Sequence, residues 1–234
     1  MPGMSLTPPD TGPIEDAWLV IPLYNEATVI ADVITAARET FPHVVCVDDA
    51  STDGSGVAAR AAGAVVVTHP FNLGQGAALQ TGISYVLQAT DAAYVVTFDA
   101  DGQHRVEDAA AMVRRAKDED VAIVFGSRFL DDRTKPGLLR RLILKGAVWI
   151  TNQQTGLRLS DAHNGLRVIR RDAARAIALE QNRMAHATEI VLQLARTRLP
   201  WVEHPVLIIY TDYSRSKGQS LMNSINILID TIVK

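Results

Sequence analysis

The segment Tyr94-Val95-Val96-Thr97-Phe98-Asp99-Ala100-Asp101-Gly102-Gln103 joins an apolar run to two carboxylates and an amide. β-Branched and aromatic residues in a run of this length predict a buried strand. Asp99 and Asp101 are two positions apart, so their side chains project to the same side of an extended segment. Two carboxylates and the amide oxygen of Gln103 are hard oxygen ligands that suit Mg²⁺ or Mn²⁺. The segment therefore predicts a metal site that also binds a diphosphate, with a solvated acidic turn as the alternative.

On either side of this segment, stretches with the hydrophobic pattern of a strand alternate with stretches that have the pattern of a helix. Apolar β-rich runs predict strands at residues 17–23, 44–47, 64–67, 94–98 and 121–125. Helical patterns between them predict helices at residues 27–40, 53–62, 76–88 and 106–117. Strands that alternate with helices of this length are typical of βαβ units. We therefore expect an α/β fold with a mostly parallel sheet flanked by helices.

The pattern is less regular after residue 126. We expect a helix at 138–153, a strand at 166–169, helices at 173–179 and 187–197, and a strand at 202–210 that Pro205 interrupts. A polar loop at 211–220 leads to a closing helix from about residue 221. Residues 1–16 are rich in Pro, Gly and Thr and are predicted to form a disordered leader. Residues 17–234 are predicted to form a single domain.

Composition restricts the class of protein. Of the 234 residues 47% are hydrophobic, which is enough for a sizeable core, and the net charge of −3 gives no general attraction for nucleic acid. The single cysteine, Cys46, lies in an apolar run and is interpreted as a buried strand thiol. No stretch approaches the roughly 18 to 20 apolar residues that a membrane span requires. We expect a cytoplasmic protein, peripheral to the membrane at most.

Polar residues follow several of the predicted strands. Asn25-Glu26 and Asp48-Asp49 join the acidic segment at what would be the carboxyl edge of the sheet, where open α/β sheets bind ligands. Asp48-Asp49 can equally be part of a capping turn. Residues 72–76, Asn-Leu-Gly-Gln-Gly, suggest either a phosphate-binding loop or a plain turn. Leu79 stands where the dinucleotide fingerprint requires its third glycine, which argues against a dehydrogenase.

Seven segments in order resemble the family 2 glycosyltransferases, and most closely the polyprenyl- and dolichyl-phosphate sugar synthases. The resemblance extends from about Ala17 to Ser220. The segments are Val20-Ile21-Pro22-Leu23-Tyr24-Asn25-Glu26, Val47-Asp48-Asp49-Ala50-Ser51-Thr52-Asp53-Gly54, Asn72-Leu73-Gly74-Gln75-Gly76, Asp99-Ala100-Asp101-Gly102-Gln103-His104, Gly126-Ser127-Arg128, Ser160-Asp161-Ala162-His163-Asn164-Gly165-Leu166-Arg167 and Arg215-Ser216-Lys217-Gly218-Gln219-Ser220. The family implies a GT-A fold, with a Rossmann-like nucleotide-sugar half at residues 17–128, an acceptor half at 129–220 and the closing helix at 221–234.

The resemblance also implies roles for individual residues. The expected nucleotide-binding residues are Pro22, Tyr24, Glu26, Val47, Asp49, Asp99 and Ala100. Asp99, Asp101 and Gln103 would bind Mg²⁺ or Mn²⁺, and Asp101, Arg128 and Arg215 would be the catalytic residues. Arg128, Arg141 and Lys217 would contact the acceptor phosphate. Leu221 occupies a position where the family pattern often has lysine.

The expected reaction is inverting transfer of a sugar from a UDP- or GDP-sugar to a polyprenyl or dolichyl phosphate. One alternative is a saccharide or small-molecule hydroxyl acceptor, which would need a carboxylate base, and Asp161 and Glu189 are the candidates. A second alternative is a non-catalytic module that binds nucleotide-sugars. Residues 138–150 are apolar yet carry Arg140, Arg141 and Lys145, which is typical of a helix at a membrane interface or of a core helix with exposed basic residues. If the acceptor is a lipid phosphate, we expect peripheral membrane contact, either direct or through a membrane partner protein.

Overall fold

The computed structural model describes residues 12–130, 138–181 and 185–209, with only the backbone described for residues 138–144. The strands are β1 (Ala17–Leu23), β2 (His43–Asp48), β3 (Val65–Thr68), β4 (Tyr94–Thr97), β5 (Ile123–Ser127), β6 (Arg167–Arg170) and β7 (Trp201–Pro205). The helices are α1 (Ile30–Arg38), α2 (Ser55–Ala61), α3 (Gln75–Ala89), α4 (Val106–Asp118), α5 (Leu138–Thr155), α6 (Arg171–Ala174) and α7 (Ala185–Arg196). The predicted alternation of strands and helices is confirmed.

The described strands form one sheet in the order β3-β2-β1-β4-β6-β5-β7. All neighbouring pairs are parallel except those of β6, which runs antiparallel to both β4 and β5. The reversal follows from the path of the chain. Arg128, just after β5, binds Asp161, six residues before β6, so the chain re-enters the sheet at the edge where β5 leaves it. The prediction of a mostly parallel sheet is therefore confirmed, with one antiparallel strand inserted.

Two apolar clusters cover the two faces of the sheet. Alternate residues of β1, such as Leu19 and Ile21, pack with α1 and α4 on one face. Val20 faces the other way and packs with α3, α6 and α7. This alternation is the period of a strand that is buried on both sides, which is why the strands are nearly continuous apolar runs. The two helical layers leave the strand ends as the place where polar side chains gather.

Several predicted boundaries are wrong by a few residues. α1 begins at Ile30 rather than at residue 27. Residues 27–29 form a turn instead, and the backbone N–H of Ala27 donates to Asp53. The predicted helix at 173–179 is the short α6, which ends at Ala174. β5 begins two residues later than predicted, and β7 ends at Pro205 rather than at residue 210.

The predicted limits of the leader and of the closing helix have different outcomes. The leader boundary at residue 16 is wrong, because Ile14 is buried in the core and its N–H donates to the carbonyl of Thr40 at 2.8 Å. Residues 1–11 and the predicted closing helix at 221–234 lie outside the described residues. None of the helices within the described ranges is long and apolar enough to cross a membrane.

Candidate active site

The carboxyl ends of β1, β2, β4 and β5 bring the predicted site residues to one edge of the sheet. Tyr24 follows β1, Asp49 follows β2, Asp99 lies two residues after β4 and Arg128 follows β5. Parallel strands impose this arrangement, since their carboxyl ends share an edge. The polar residues that the sequence places after separate strands are therefore neighbours in space.

Two loops at this edge are joined by hydrogen bonds. The backbone N–H groups of Asn25 and Glu26 donate to the hydroxyls of Ser51 and Ser55, at 3.0 and 2.7 Å. In return, Asn25 Oδ1 accepts the backbone N–H of Thr52 at 2.9 Å. These contacts fix the loop that presents the Tyr24 ring, which is 47% exposed. An exposed aromatic ring on a fixed loop can stack on a base.

Two of the predicted nucleotide contacts are not available through their side chains. Val47 is fully buried in β2, and its side chain faces Gly82 of α3. Ala100 is also buried. Pro22 pairs with Val47 in the β1–β2 ladder and is partly exposed. Tyr24 and Glu26, which follow β1, keep accessible side chains, whereas Val47 could contact a nucleotide only through its backbone.

Asp49 is buried and holds the loop that opens α3. Its Oδ1 accepts the N–H of Leu73 and lies 2.8 Å from Nδ1 of His69, while Oδ2 accepts the N–H of Gly74 at 2.8 Å. His69 Nε2 in turn lies 2.9 Å from the hydroxyl of Thr81. The hydrogen bonds of Asp49 therefore fix the turn at residues 72–74. His69 was not selected from the sequence, where a single histidine after a strand gave no signal.

The acidic pair lies where β4 ends, and each carboxylate has its own support. Asp99 Oδ2 lies 2.9 Å from Nε2 of His104. Asp101 accepts the backbone N–H of Gln103 at 3.1 Å and its side-chain Nε2 at 2.7 Å. Burial and then the negative charge of Asp99 raise the pKa of Asp101 to about 6. Burial alone would raise the pKa of Asp99 as well, but His104 and the buried Arg167 hold it below its ordinary value.

The pair fits an open cation site better than a closed one. The described residues contain no group of three or more His, Cys, Asp or Glu side chains that could hold a metal ion. A buried carboxylate whose pKa is raised by a second carboxylate is one that a divalent cation would stabilise in its charged form. Mg²⁺ commonly uses only one or two protein carboxylates. In this arrangement Gln103 supports Asp101 through its amide nitrogen. Ligation by Gln103 would require the amide to rotate.

Arg128 is held by Asp161 in a bidentate ion pair. Nε and Nη2 of Arg128 lie 2.6 and 2.8 Å from the two carboxylate oxygens, and the Arg128 backbone N–H also donates to Oδ2. Burial would raise the pKa of Asp161, but the charge and hydrogen bonds of Arg128 hold it below its ordinary value. An acid of low pKa whose oxygens are already engaged is a weak general base. The geometry therefore favours a positioning role for Asp161.

Glu189, the other base candidate, has a similar arrangement. It lies on α7, and its carboxylate accepts the backbone N–H groups of Glu180 and Gln181 at 2.9 to 3.2 Å. A carboxylate that binds consecutive backbone amides stabilises a turn. Neither candidate base is therefore free of structural partners.

The remaining predicted phosphate contacts lie outside the part of the chain that the structure describes. The side chain of Arg141 and the residues Arg215 and Lys217 lie outside the described part of the chain. The described chain approaches the acidic pair just before those residues: Ile208 pairs with His104, and the N–H of Ile209 donates to the carbonyl of Gln103 at 2.9 Å. Arg215 follows six positions later in the sequence.

The sequence profile of the family described as glycosyl transferase family 2 matches residues 18–178. The match spans most of the chain and includes every strand end described above except the end of β7. The chain is a family 2 glycosyltransferase. The predicted family and enzyme class are confirmed.

Three curated relatives of this family 2 glycosyltransferase align along most of their own length. An uncharacterized protein from Methanocaldococcus jannaschii is 31% identical and covers 94% of this chain and 92% of the relative. The UDP-N-acetylglucosamine–dolichyl-phosphate N-acetylglucosaminyltransferase of Methanococcus voltae is 27% identical, covering 88% and 90%. The polyprenol monophosphomannose synthase of Mycolicibacterium smegmatis is 26% identical, covering 96% and 88%.

Solved structures agree on the fold. Glucosyl-3-phosphoglycerate synthase from Mycobacterium tuberculosis, in complex with phosphoglyceric acid, matches with a TM-score of 0.69 at 17% identity, covering 94% of this chain and 79% of that one. The same enzyme with Mn²⁺, UDP-glucose and phosphoglyceric acid matches with a TM-score of 0.67 at 18% identity, with the same coverage. The expected α/β fold of GT-A type is confirmed.

Sequence reasoning missed a group of buried polar side chains beneath the site of the glycosyltransferase. Arg167 is buried, and neither its Nε nor its Nη2 has a hydrogen-bond partner. Burial lowers the pKa of Arg167 to about 10, and the nearby charges of Asp99 and Asp161 oppose that shift. His163 is also buried, which lowers its pKa to about 4. The segment that contains both residues carried the family resemblance, but nothing in it indicated that these side chains would be buried.

Proposed function

We propose that this glycosyltransferase transfers a sugar from a UDP- or GDP-sugar to a polyprenyl phosphate. The observation that carries the proposal is the position of Arg167, which interacts electrostatically with Asp99 on the donor side and with Asp161 and Arg128 on the other. The acidic pair and the guanidinium of Arg128 are thus parts of one charged cluster. A donor diphosphate and an acceptor phosphate need such neighbouring sites.

The donor would bind along the ends of β1, β2 and β4. Tyr24 offers a ring to the base, and Glu26 offers hydrogen-bond acceptors beside it. Asp49 would act mainly through the turn at residues 72–74, whose backbone it fixes. The choice between uracil and guanine depends on a few hydrogen bonds at this end of the site.

Asp99 and Asp101 are the residues that would hold Mg²⁺ or Mn²⁺, with Gln103 beside them. A bound divalent cation supplies positive charge against the negative charge that develops on a departing nucleoside diphosphate. Asp101, whose pKa is raised to about 6 by burial and by Asp99, is the residue we expect to depend most on that cation. By the family resemblance, Arg215 would add a second positive charge to the leaving group.

The state of the two candidate bases favours a phosphate acceptor. A hydroxyl acceptor requires a base to remove its proton, whereas a phosphate monoester is already anionic near pH 7. Asp161 is engaged by Arg128 and Glu189 by two backbone amides. A phosphate needs a fixed cation instead of a base, and Arg128 is one. Arg141 and Lys217 would complete that contact.

An exposed tryptophan supports peripheral contact with a membrane. Trp149 on α5 is 65% exposed, whereas its neighbours Ala147 and Val148 are buried. Lys145 lies one helical turn earlier and is also exposed. Trp beside a basic residue on the outer face of a helix suits the interface of an anionic bilayer. Two of the relatives named above also carry dolichyl-phosphate or polyprenol in their names.

The acceptor is tested by where the sugar goes. Purified chain is incubated with Mn²⁺, a panel of radiolabelled UDP- and GDP-sugars and detergent-solubilised polyprenyl phosphate, and the organic and aqueous phases are counted. We expect label in the lipid phase with one donor, and loss of that label in Arg128→Ala. A parallel incubation contains saccharide acceptors. Label that enters only a water-soluble product there, and never the lipid, would instead support the hydroxyl-acceptor alternative.

A further inference from the structure

A glutamate outside every predicted set of site residues anchors the segment around Arg128. Glu203 lies in β7, opposite Phe125 of β5. Its Oε1 accepts three hydrogen bonds from a single turn: the backbone N–H of Ser160 at 2.8 Å, the hydroxyl of Ser160 at 2.9 Å and the backbone N–H of Asp161 at 3.2 Å. One carboxylate oxygen thus fixes the turn that carries Asp161.

The turn at residues 160–161 reaches Arg128 by two routes. The first is the bidentate pair between Asp161 and the guanidinium. The second is the contact of 2.6 Å between the hydroxyls of Ser160 and Ser127. The Ser127 oxygen also accepts the backbone N–H of Phe129 at 3.2 Å. Ser127 and Phe129 are the two chain neighbours of Arg128. Hydrogen bonds through the turn at residues 160–161 therefore connect Glu203 to both the backbone and the side chain of Arg128.

The location of Glu203 has an energetic cost. Burial raises the pKa of Glu203, and the nearby charge of Asp161 adds to that effect, while the bonds from Ser160 oppose it. An apolar residue in β7 would avoid this desolvation, since buried ionised groups are weak sources of stability. What the carboxylate does provide is a fixed geometry for a polar turn at the end of β5.

We infer that Glu203 is a positioning residue for the acceptor phosphate, acting through the turn at residues 160–161 on Asp161 and so on Arg128. The inference rests on the proposed function for the role of Arg128. Glu203 itself does not touch the acceptor. Its removal keeps the pair between Arg128 and Asp161 but releases the turn that carries Asp161. The guanidinium is then less precisely placed, which weakens a contact that depends on placement.

Kinetics separate this role from a purely structural one. In Glu203→Leu we expect the KM for polyprenyl phosphate to rise about tenfold, while the KM for the nucleotide-sugar stays within about twofold of the wild-type value. Glu203→Gln keeps an oxygen that can accept the same three bonds, so it should restore most of the loss. Glu107→Leu on α4, where the side chain is 73% exposed, is the matched control and should change neither constant.

A second measurement does not depend on the acceptor. The side-chain Nε–H of Arg128 is assigned in ¹⁵N-labelled protein by its absence from Arg128→Lys. We expect a slowly exchanging signal in the wild type and Glu203→Gln, and faster exchange in Glu203→Leu. Ser160→Ala, which removes the hydroxyl link alone, should give a smaller change in the same direction and provides the test if Glu203→Leu does not fold.

The outcomes are distinct. An unchanged Arg128 signal in both Glu203→Leu and Ser160→Ala, or an acceptor KM that stays at the wild-type value in a folded Glu203→Leu, overturns the role of Glu203. Loss of thermal stability with no shift in either readout has the same meaning. If the Arg128 signal responds but wild-type protein never labels the lipid, the positioning of Arg128 stands and the proposed acceptor is wrong.

Discussion

Nδ1 of His69 lies 2.8 Å from Oδ1 of Asp49, and both side chains are buried behind the turn that opens α3. The pair links the ends of β2 and β3 to α3. His69 also contacts Thr81 within α3, and Asp49 binds the backbone of the turn. An acidic residue at a strand end thus serves the site by shaping a neighbouring loop. The effect of this pair on donor binding can be measured.

We predict that His69→Ala loosens the turn at residues 72–74. The substitution leaves the buried carboxylate of Asp49 and the partly buried hydroxyl of Thr81 without that partner, which should lower the free energy of unfolding by about 1–3 kcal/mol. Donor affinity should fall as well, measured by calorimetric titration with UDP and GDP. Thr81→Val removes only the outer hydrogen bond and should lose less of both. Stability that falls while the affinity for the nucleotide is unchanged would limit His69 to a structural role.

We predict that Gly165→Ala disturbs the cation site while the fold is retained. A methyl group at Gly165 would come within 2.5 Å of Asp99 Oδ2 and 2.9 Å of Oδ1, so the carboxylate must move. Mn²⁺-dependent binding of nucleoside diphosphate should weaken by about tenfold or more, since the ligand oxygens are misplaced.

Gly126→Ala is the control for this prediction. A methyl group there would meet the carbonyl of Leu166 at 2.9 Å, and the three nearest atoms belong to Leu166 and Val206 rather than to Asp99. It should therefore lower the unfolding temperature with less effect on the dependence on Mn²⁺. Equal Mn²⁺ dependence in Gly165→Ala and the wild type would contradict the placement of Asp99 as a ligand.

We predict acid sensitivity that originates at His163. Burial, together with the charges of Arg128 and Arg167, lowers its pKa to about 4, against the pull of Asp161 in the opposite direction. The unfolded chain takes up the proton near pH 6.5, and the folded protein does so only near pH 4. The imidazole therefore contributes stability that is present above pH 6.5 and is lost as the pH falls to about 4, by about 3 kcal/mol.

His163→Gln tests this assignment. Urea denaturation at several pH values should show a flatter decline between pH 6.5 and pH 4 in the variant than in the wild type. Parallel curves for the two proteins would assign the acid sensitivity to other groups.

We predict that Trp149→Ala reduces binding to vesicles that contain anionic lipid. Loss of an exposed indole removes apolar area that would insert at the interface. Co-sedimentation with phosphatidylglycerol vesicles should fall severalfold, while the affinity for the donor is unchanged. Val57→Ala on α2, where the side chain is 75% exposed, is the control and should sediment like the wild type. Equal sedimentation of Trp149→Ala and wild type would remove α5 as the membrane contact.

The sequence predicts the parts of this fold that depend on one hydrophobic period. β1, β2 and β4 are apolar runs that end in polar residues, and their positions were predicted to within two residues. The insertion of β6 between β4 and β5 was not predicted, since it follows from a contact between residues 33 positions apart. The burial of Ile14 is not apparent from the sequence, because a single apolar residue beside proline and glycine has no period to reveal it.

The site is less predictable than the fold, for a related reason. Residue types at strand ends indicated Asp99 and Asp101, whose spacing is itself a signal. Glu203 and His69 act through hydrogen bonds to distant turns, and their local sequence is that of ordinary strand or loop residues. The burial of Val47 against Gly82 depends on how α3 packs on β2, which no local sequence pattern shows.

The most direct test of the account is the binding of nucleoside diphosphate to wild-type protein and Asp101→Asn, with Mn²⁺ or with EDTA. Calorimetric titration with UDP and GDP provides the affinities, and Asp118→Asn on α4 is the control. We predict that Mn²⁺ increases the wild-type affinity for one nucleotide about tenfold or more, that Asp118→Asn behaves likewise, and that Asp101→Asn loses the increase. The same affinity with Mn²⁺ and EDTA in the wild type, or a full increase in Asp101→Asn, would contradict a donor site built on the acidic pair.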